Sequence, residues 1–154
     1  MSDNPTWEEV RNRAADEITP PPTPATGHWR CNIQKGWLQQ VTGRGEKAPV
    51  AEAVFMSKLV EPQDDVAPTE VEGLTADDIA SMRGRYRIPI FTRQDEYKVR
   101  RFVEKVLGLE AKGTLAELCA SAKGSDYVGN IVHRANPDDA EHPYWDITAP
   151  IAAD

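Results

Sequence analysis

The chain has 154 residues, 40% of them apolar, and a formal net charge of −7. That is one ordinary domain, long enough to bury a core, with no apolar run long enough to span a membrane. The polar, acidic start MSDNPTWEEV is no signal peptide, and two cysteines far apart, Cys31 and Cys119, read as buried thiols in a reducing compartment. These features predict a cytoplasmic protein.

Thr6 followed by Glu9 is a capping-box signal, and it predicts a short helix from Trp7 to about Ile18. The run PPPTP, 20–24, ends it, so 1–26 reads as a helix on a stiff proline linker. GHWRCNIQKGWLQQV, 27–41, alternates: Trp29, Cys31 and Ile33 share one face, as in a half-buried strand. Gly36 predicts a bulge that turns Leu38 inward and Trp37 outward, next to Lys35. TGRGEK, 42–47, is a turn, and 48–62 is a second strand, apolar on both faces. Residues 61–74 read as a mobile acidic loop, and Thr75 with Asp78 starts a short helix. GRYRIPIF, 84–91, alternates again, with Tyr86 and Ile88 on one face and Arg85 and Arg87 on the other. Pro89 makes it an edge strand. Thr92 with Asp95 caps a helix on which Val99, Phe102, Val103, Val106 and Leu107 form one stripe, stopped at Gly108. Thr114 with Glu117 caps a second helix. A final hairpin pairs 127–134 with 143–147, and 149–154 is left as a loose tail.

The result is a mainly β, α+β domain over 27–148: five strands, with a helix pair between the third and fourth. This is the element order of an OB-fold, a small five-stranded barrel that binds oligonucleotides. The rival arrangement is an α+β sandwich with the helices on one face of an open sheet.

Charge comes in blocks. Residues 27–60 carry net +3 and 83–105 net +5, while 61–82 carry −7 and 135–154 carry −5. Binding single-stranded nucleic acid needs positive charge along the backbone and flat side chains for the bases. The basic blocks supply Arg30, Lys35, Arg44, Lys47, Arg85 and Arg87, and Trp37, Phe91 and Tyr144 are the candidate stacking platforms. Trp29, Tyr86 and Trp145 fall among apolar neighbours and are assigned to the core. Taken singly, each basic block is a solvated surface and each aromatic a core residue; arginines alternating opposite Tyr86 and Ile88 make the case for DNA. The cations of 93–105 have acids within one helix, such as Glu96 four residues before Arg100, and read as a solvated face.

Enzymatic readings fare poorly. His28-x-x-Cys31 resembles half of a zinc site with no second half, and no GxSxG, phosphate-loop or HExxH motif is present. No catalysis, metal or cofactor is expected.

On GHWRCNIQKGWLQQ, PVAEAVFMSKLVEP, RFVEKVLGL and TLAELCASAKGSDYVGNIVHR the chain resembles the OB-fold single-stranded-DNA-binding proteins of phage replication modules, over roughly 27–148. The resemblance implies non-sequence-specific single-stranded DNA binding in phage replication or recombination. It implies replication or recombination proteins as partners through acidic segments, and admits a homodimer. Such proteins often end in an acidic tail, whereas TAPIAAD, 148–154, holds a single acid. The alternative is a protein-interaction or assembly module, such as a virion or anti-defence protein, that uses an OB-like scaffold on protein; the acidic total favours it.

Overall fold

A computed structural model describes residues 6–15, 22–42 and 49–153. Five strands form one antiparallel sheet: β1 (Gly27–Val41), β2 (Val50–Pro62), β3 (Arg83–Ile90), β4 (Asp126–Arg134) and β5 (Tyr144–Ala152). Their order across the sheet is β3-β2-β1-β4-β5. The architecture is therefore mainly β with a few short helices. Helix α1 (Trp7–Asn12) precedes the sheet, α2 (Pro68–Val71) and α3 (Ala76–Ser81) link β2 to β3, and α4 (Arg93–Arg101) and α5 (Leu115–Ala120) link β3 to β4.

Alternation along each strand sends one set of side chains into the core. Trp29, Cys31 and Ile33 of β1, Ala53, Phe55 and Leu59 of β2, Tyr86 and Ile88 of β3, Tyr127 and Ile131 of β4 and Ile147 of β5 meet there with Val99, Phe102, Val103 and Leu118 from the helices. The core assignments of Trp29 and Tyr86 hold, and Trp145 packs against the same cluster, partly buried. Ser57 and Tyr127, the polar intrusion into this core, hydrogen-bond each other at 2.8 Å. As a hydrogen-bonded ladder the sheet is open, where element order predicts a barrel. Its two edges nevertheless approach each other: a Cβ on Gly84 of β3 would lie 2.3 Å from Trp145 Cζ3 and 3.1 Å from Ile147 Cδ1 of β5.

α4 begins where the sequence places it. Thr92 accepts from the Asp95 amide, and the Asp95 carboxylate accepts from the amides of Thr92 and Phe91. The Phe91 N–H contact, at 2.9 Å, does most to hold the Asp95 carboxyl below its ordinary pKa. The expected single helix to Leu107 instead widens into a π turn over Phe102–Val106, closed by Leu107 N–H on Phe102 O. The wider turn keeps Phe102 against Phe55, Tyr86 and Tyr127, with ring centroids 4.7, 5.0 and 5.5 Å away. Gly108, at φ +70°, ends it in the left-handed region.

Four further expectations are corrected. The bulge in β1 falls at Gln34, because Ile33 pairs with Ser57 and Lys35 with Met56, and not at Gly36. The acidic stretch 61–74 is tied down: Val66 is buried in the core, the Gln63 amide donates to His28 O, and α2 forms within it. The tail expected at 149–154 is strand to Ala152. Gly129 faces both Ala149 and Pro150 across a bulge, with Ala149 at φ +45°, so the missing proline N–H interrupts no ladder bond and pairing resumes at Val128–Ile151. The linker docks before β1: Pro24 and Ala25 are buried, Pro24 O lies 2.7 Å from His133 Nε2, and Ala25 O accepts from Trp29 Nε1. α1 ends at Asn12, and residues 16–18 of its expected extension lie outside the described residues.

All of residues 6–15 are exposed, and Trp7 is 72% accessible. Removing residues 1–15 is therefore expected to leave the thermal midpoint unchanged. Removing 1–25 takes away the acceptor of Trp29 and the cover over it, and the midpoint should fall; equal midpoints for the two truncations would show that Pro24 and Ala25 contribute nothing.

Candidate nucleic-acid interface

The bulge at Gln34 decides which side chains of β1 face outward. Before it Trp29, Cys31 and Ile33 point into the core; after it Gly36 and Leu38 do, and Lys35, Trp37 and Gln39 face solvent. Strand pairing then sets these residues in rows across the outer face of β1, β2 and β3. Asn32, Lys58 and Arg83 form one row; Lys35, Met56 and Arg85 the next; Trp37, Val54 and Arg87 the third; Gln39, Glu52 and Pro89 the fourth.

Trp37 stands at the centre. Lys35 Nζ lies 5.3 Å from its ring centroid and Arg85 Cζ 5.7 Å, so two cations come within cation–π range of one indole. Its Nε1–H donates to Gln39 Oε1 at 3.0 Å, and the Gln39 amide donates to Glu52 Oε1 at 3.0 Å, which fixes the ring plane. Val54, fully buried, forms the floor beside the ring. Arg85, Arg87 and Lys35 are exposed. Among the described residues, Lys35, Lys58, Arg83, Arg85 and Arg87 make no ion pair, so five cations on one face are uncompensated.

Beyond the edge of β3 lies a groove of about 470 Å³, lined by Arg83, Arg85, Arg87, His142, Tyr144 and Trp145, with Pro22 and Thr23 at its rim. Tyr144 is 46% exposed there, and Arg134, ion-paired with Asp146, stands 5.4 Å from its ring centroid. Arg85 thus touches Trp37 on one side and lines the groove of Tyr144 on the other. Phe91, 72% exposed, sits just past the end of β3.

Of the residues singled out from sequence, Lys35, Trp37, Arg85, Arg87 and Tyr144 come together on this surface. Arg30 does not act as an open cation: its Nε and Nη2 donate to Asp126 Oδ2 at 3.1 and 3.0 Å. Asn32 donates to the same carboxylate. Its charge is already matched by a part-buried acid, which sets Arg30 apart from the cations of the outer face. Arg44 and Lys47 lie outside the described residues. Sequence reasoning missed Arg83, Lys58, Gln39 and Glu52. The signal for Arg83 was its parity with Arg85 and Arg87; the other three needed the strand register.

A second cleft, about 450 Å³, lies beside His28, Arg30, Asp64 and Asp65. There the Asp65 carboxylate accepts from the His28 ring at 2.6 Å and from the His28 amide at 3.0 Å, contacts that hold its carboxyl below the usual range. Burial pushes the Cys31 thiol up to about 12 and that of Cys119 to about 11, so both stay protonated and unreactive at neutral pH. No protein-family model matches the chain, and no curated protein matches it.

Proposed function

We propose that this protein binds single-stranded DNA without sequence specificity, on the outer face of β1–β2–β3 and in the adjoining groove. The observation that carries the reading is the Trp37 ring approached by both Lys35 and Arg85, on a face whose cations make no ion pair among the described residues. Exposed aromatics offer each base a flat surface, and the cations track phosphates; stacking needs no base-specific hydrogen bond, so sequence is not read. The strand order, the helices between β3 and β4, and the approach of Gly84 to Trp145 support an OB-like barrel as the scaffold. A role beside replication or recombination proteins, as the resemblance implies, goes with this reading.

The test is titration of a fluorescent oligo-dT at two salt concentrations. Affinity should fall steeply as salt rises, because each phosphate contact releases a counterion. The Arg85→Ala, Arg87→Ala double variant should bind more weakly and unfold at the same denaturant concentration, since neither side chain packs in the core. A wild-type protein that ignores oligo-dT at low salt would return the chain to the protein-interaction reading.

A further inference from the structure

We infer that the single strand runs along β3 rather than across the sheet, so that Arg83, Arg85 and Arg87 each hold one successive phosphate and the bases splay to either side. The inference rests on the DNA-binding reading and adds the path and conformation of the ligand.

Charge density decides the direction. Along β3 three outward arginines fall within five residues, all exposed and none ion-paired among the described residues. Across the sheet, the row through Arg85 meets Met56 and then Lys35, and the row through Arg87 meets Val54 and then Trp37. A strand laid along either row would find at most two cations, separated by an apolar floor, and the row Arg83–Lys58–Asn32 also holds only two.

Spacing matches the row to the phosphates of one strand. Alternate residues of a strand repeat at about 6.6 Å. Successive phosphates of one nucleic-acid strand lie farther apart than the axial rise of about 3.4 Å, because the backbone winds about the axis, so each arginine can meet one phosphate. A single strand laid on the row has no complement to pair with. Its bases then have surfaces on both sides of the arginine row. Trp37 lies toward β1, over Val54 and Met56, and Tyr144 lies across the groove. Phe91 caps the row where β3 ends. Arg83 is steadied for its part by donating Nη1–H to Ala80 O at 2.8 Å.

The experiment uses the full chain and an end-labelled dT8, titrated over a series of salt concentrations. For a single strand the slope of log affinity against log salt is about −0.7 per phosphate contact. Arg83→Gln and Arg87→Gln should each flatten that slope by about 0.7, and Arg83→Lys and Arg87→Lys should restore it. Lys35→Gln, whose cation on this path lies off the phosphate row, should flatten the slope by less than Arg83→Gln or Arg87→Gln does. dT8 should bind severalfold tighter than dA8, whose stacking resists splaying the bases to both sides. If Lys35→Gln flattens the slope while Arg83→Gln and Arg87→Gln do not, the strand crosses the sheet and the path is wrong. Equal binding of dA8 and dT8 would remove the splayed arrangement of the bases. Absence of salt-dependent binding by the unaltered protein would instead remove the DNA-binding reading itself, and the path with it.

Discussion

Trp37→Ala should weaken oligo-dT binding by about 1–3 kcal/mol, about fivefold to 150-fold, while Trp29→Ala should cost about 3–5 kcal/mol of folding stability. The two tryptophans sit eight positions apart on β1, and evenness of spacing alone would put both in the core. The bulge at Gln34 separates them. Trp29 is fully buried, hydrogen-bonded to Ala25 O and packed in the main cluster. Its loss opens a cavity that a domain with a typical stability of about 5–15 kcal/mol can barely absorb. Trp37 is half-buried on the outer face, its ring centroid 5.3 Å from Lys35 Nζ and 5.7 Å from Arg85 Cζ. Truncating it removes a cross-strand contact with Val54, worth about 1 kcal/mol or less, and the stacking platform. Chemical denaturation and DNA titration of the same two variants check both halves. A Trp37→Ala protein that loses several kcal/mol of stability but binds normally per folded molecule would return Trp37 to a structural role.

Gly36→Ala should lower stability by about 3 kcal/mol, at the upper end for overpacking. Gly36 faces inward, and a Cβ there would lie 2.1 Å from Cys119 O, 3.0 Å from Cys119 C and 3.1 Å from Phe55 Cδ1. Two of these three atoms are backbone, so no rotamer change relieves the contact; α5 must move off the sheet. The gain of about 0.4–1 kcal/mol that alanine brings by stiffening the unfolded chain is too small to compensate. Binding per folded molecule should be little altered, because α5 and Trp37 lie on opposite faces of β1. An unchanged urea midpoint would show that α5 does not seat on Gly36. Close approach of a helix explains this glycine better than the bulge its sequence context predicts.

Much of the fold was legible because it follows from local chemistry. Thr75, Thr92 and Thr114 each precede an acid by three residues, and each caps a helix. Pro89 placed β3 at an edge, where a missing N–H breaks no ladder. The alternation Arg85-Tyr86-Arg87-Ile88 is read directly as out, in, out, in. What failed to show were features that depend on a partner far away in the chain. Arg30 looks like any other arginine of the first hairpin until β4 brings Asp126 beside it, 96 residues on. The continuation of β5 past Pro150 needs the bulge opposite Gly129.

By itself the sequence determined the period of each strand, the caps of its helices and the blocks of charge, since these depend on residues within a few positions of one another. Only the tertiary structure decided which cations stay uncompensated and which aromatic faces outward. A bulge of one residue reverses every side chain beyond it, and an ion pair forms only when the fold brings its second member within reach. Trp37 beside Lys35 and Arg85 is the product of both: a shift at Gln34 on β1, and a register that carries β3 across β2 to meet it.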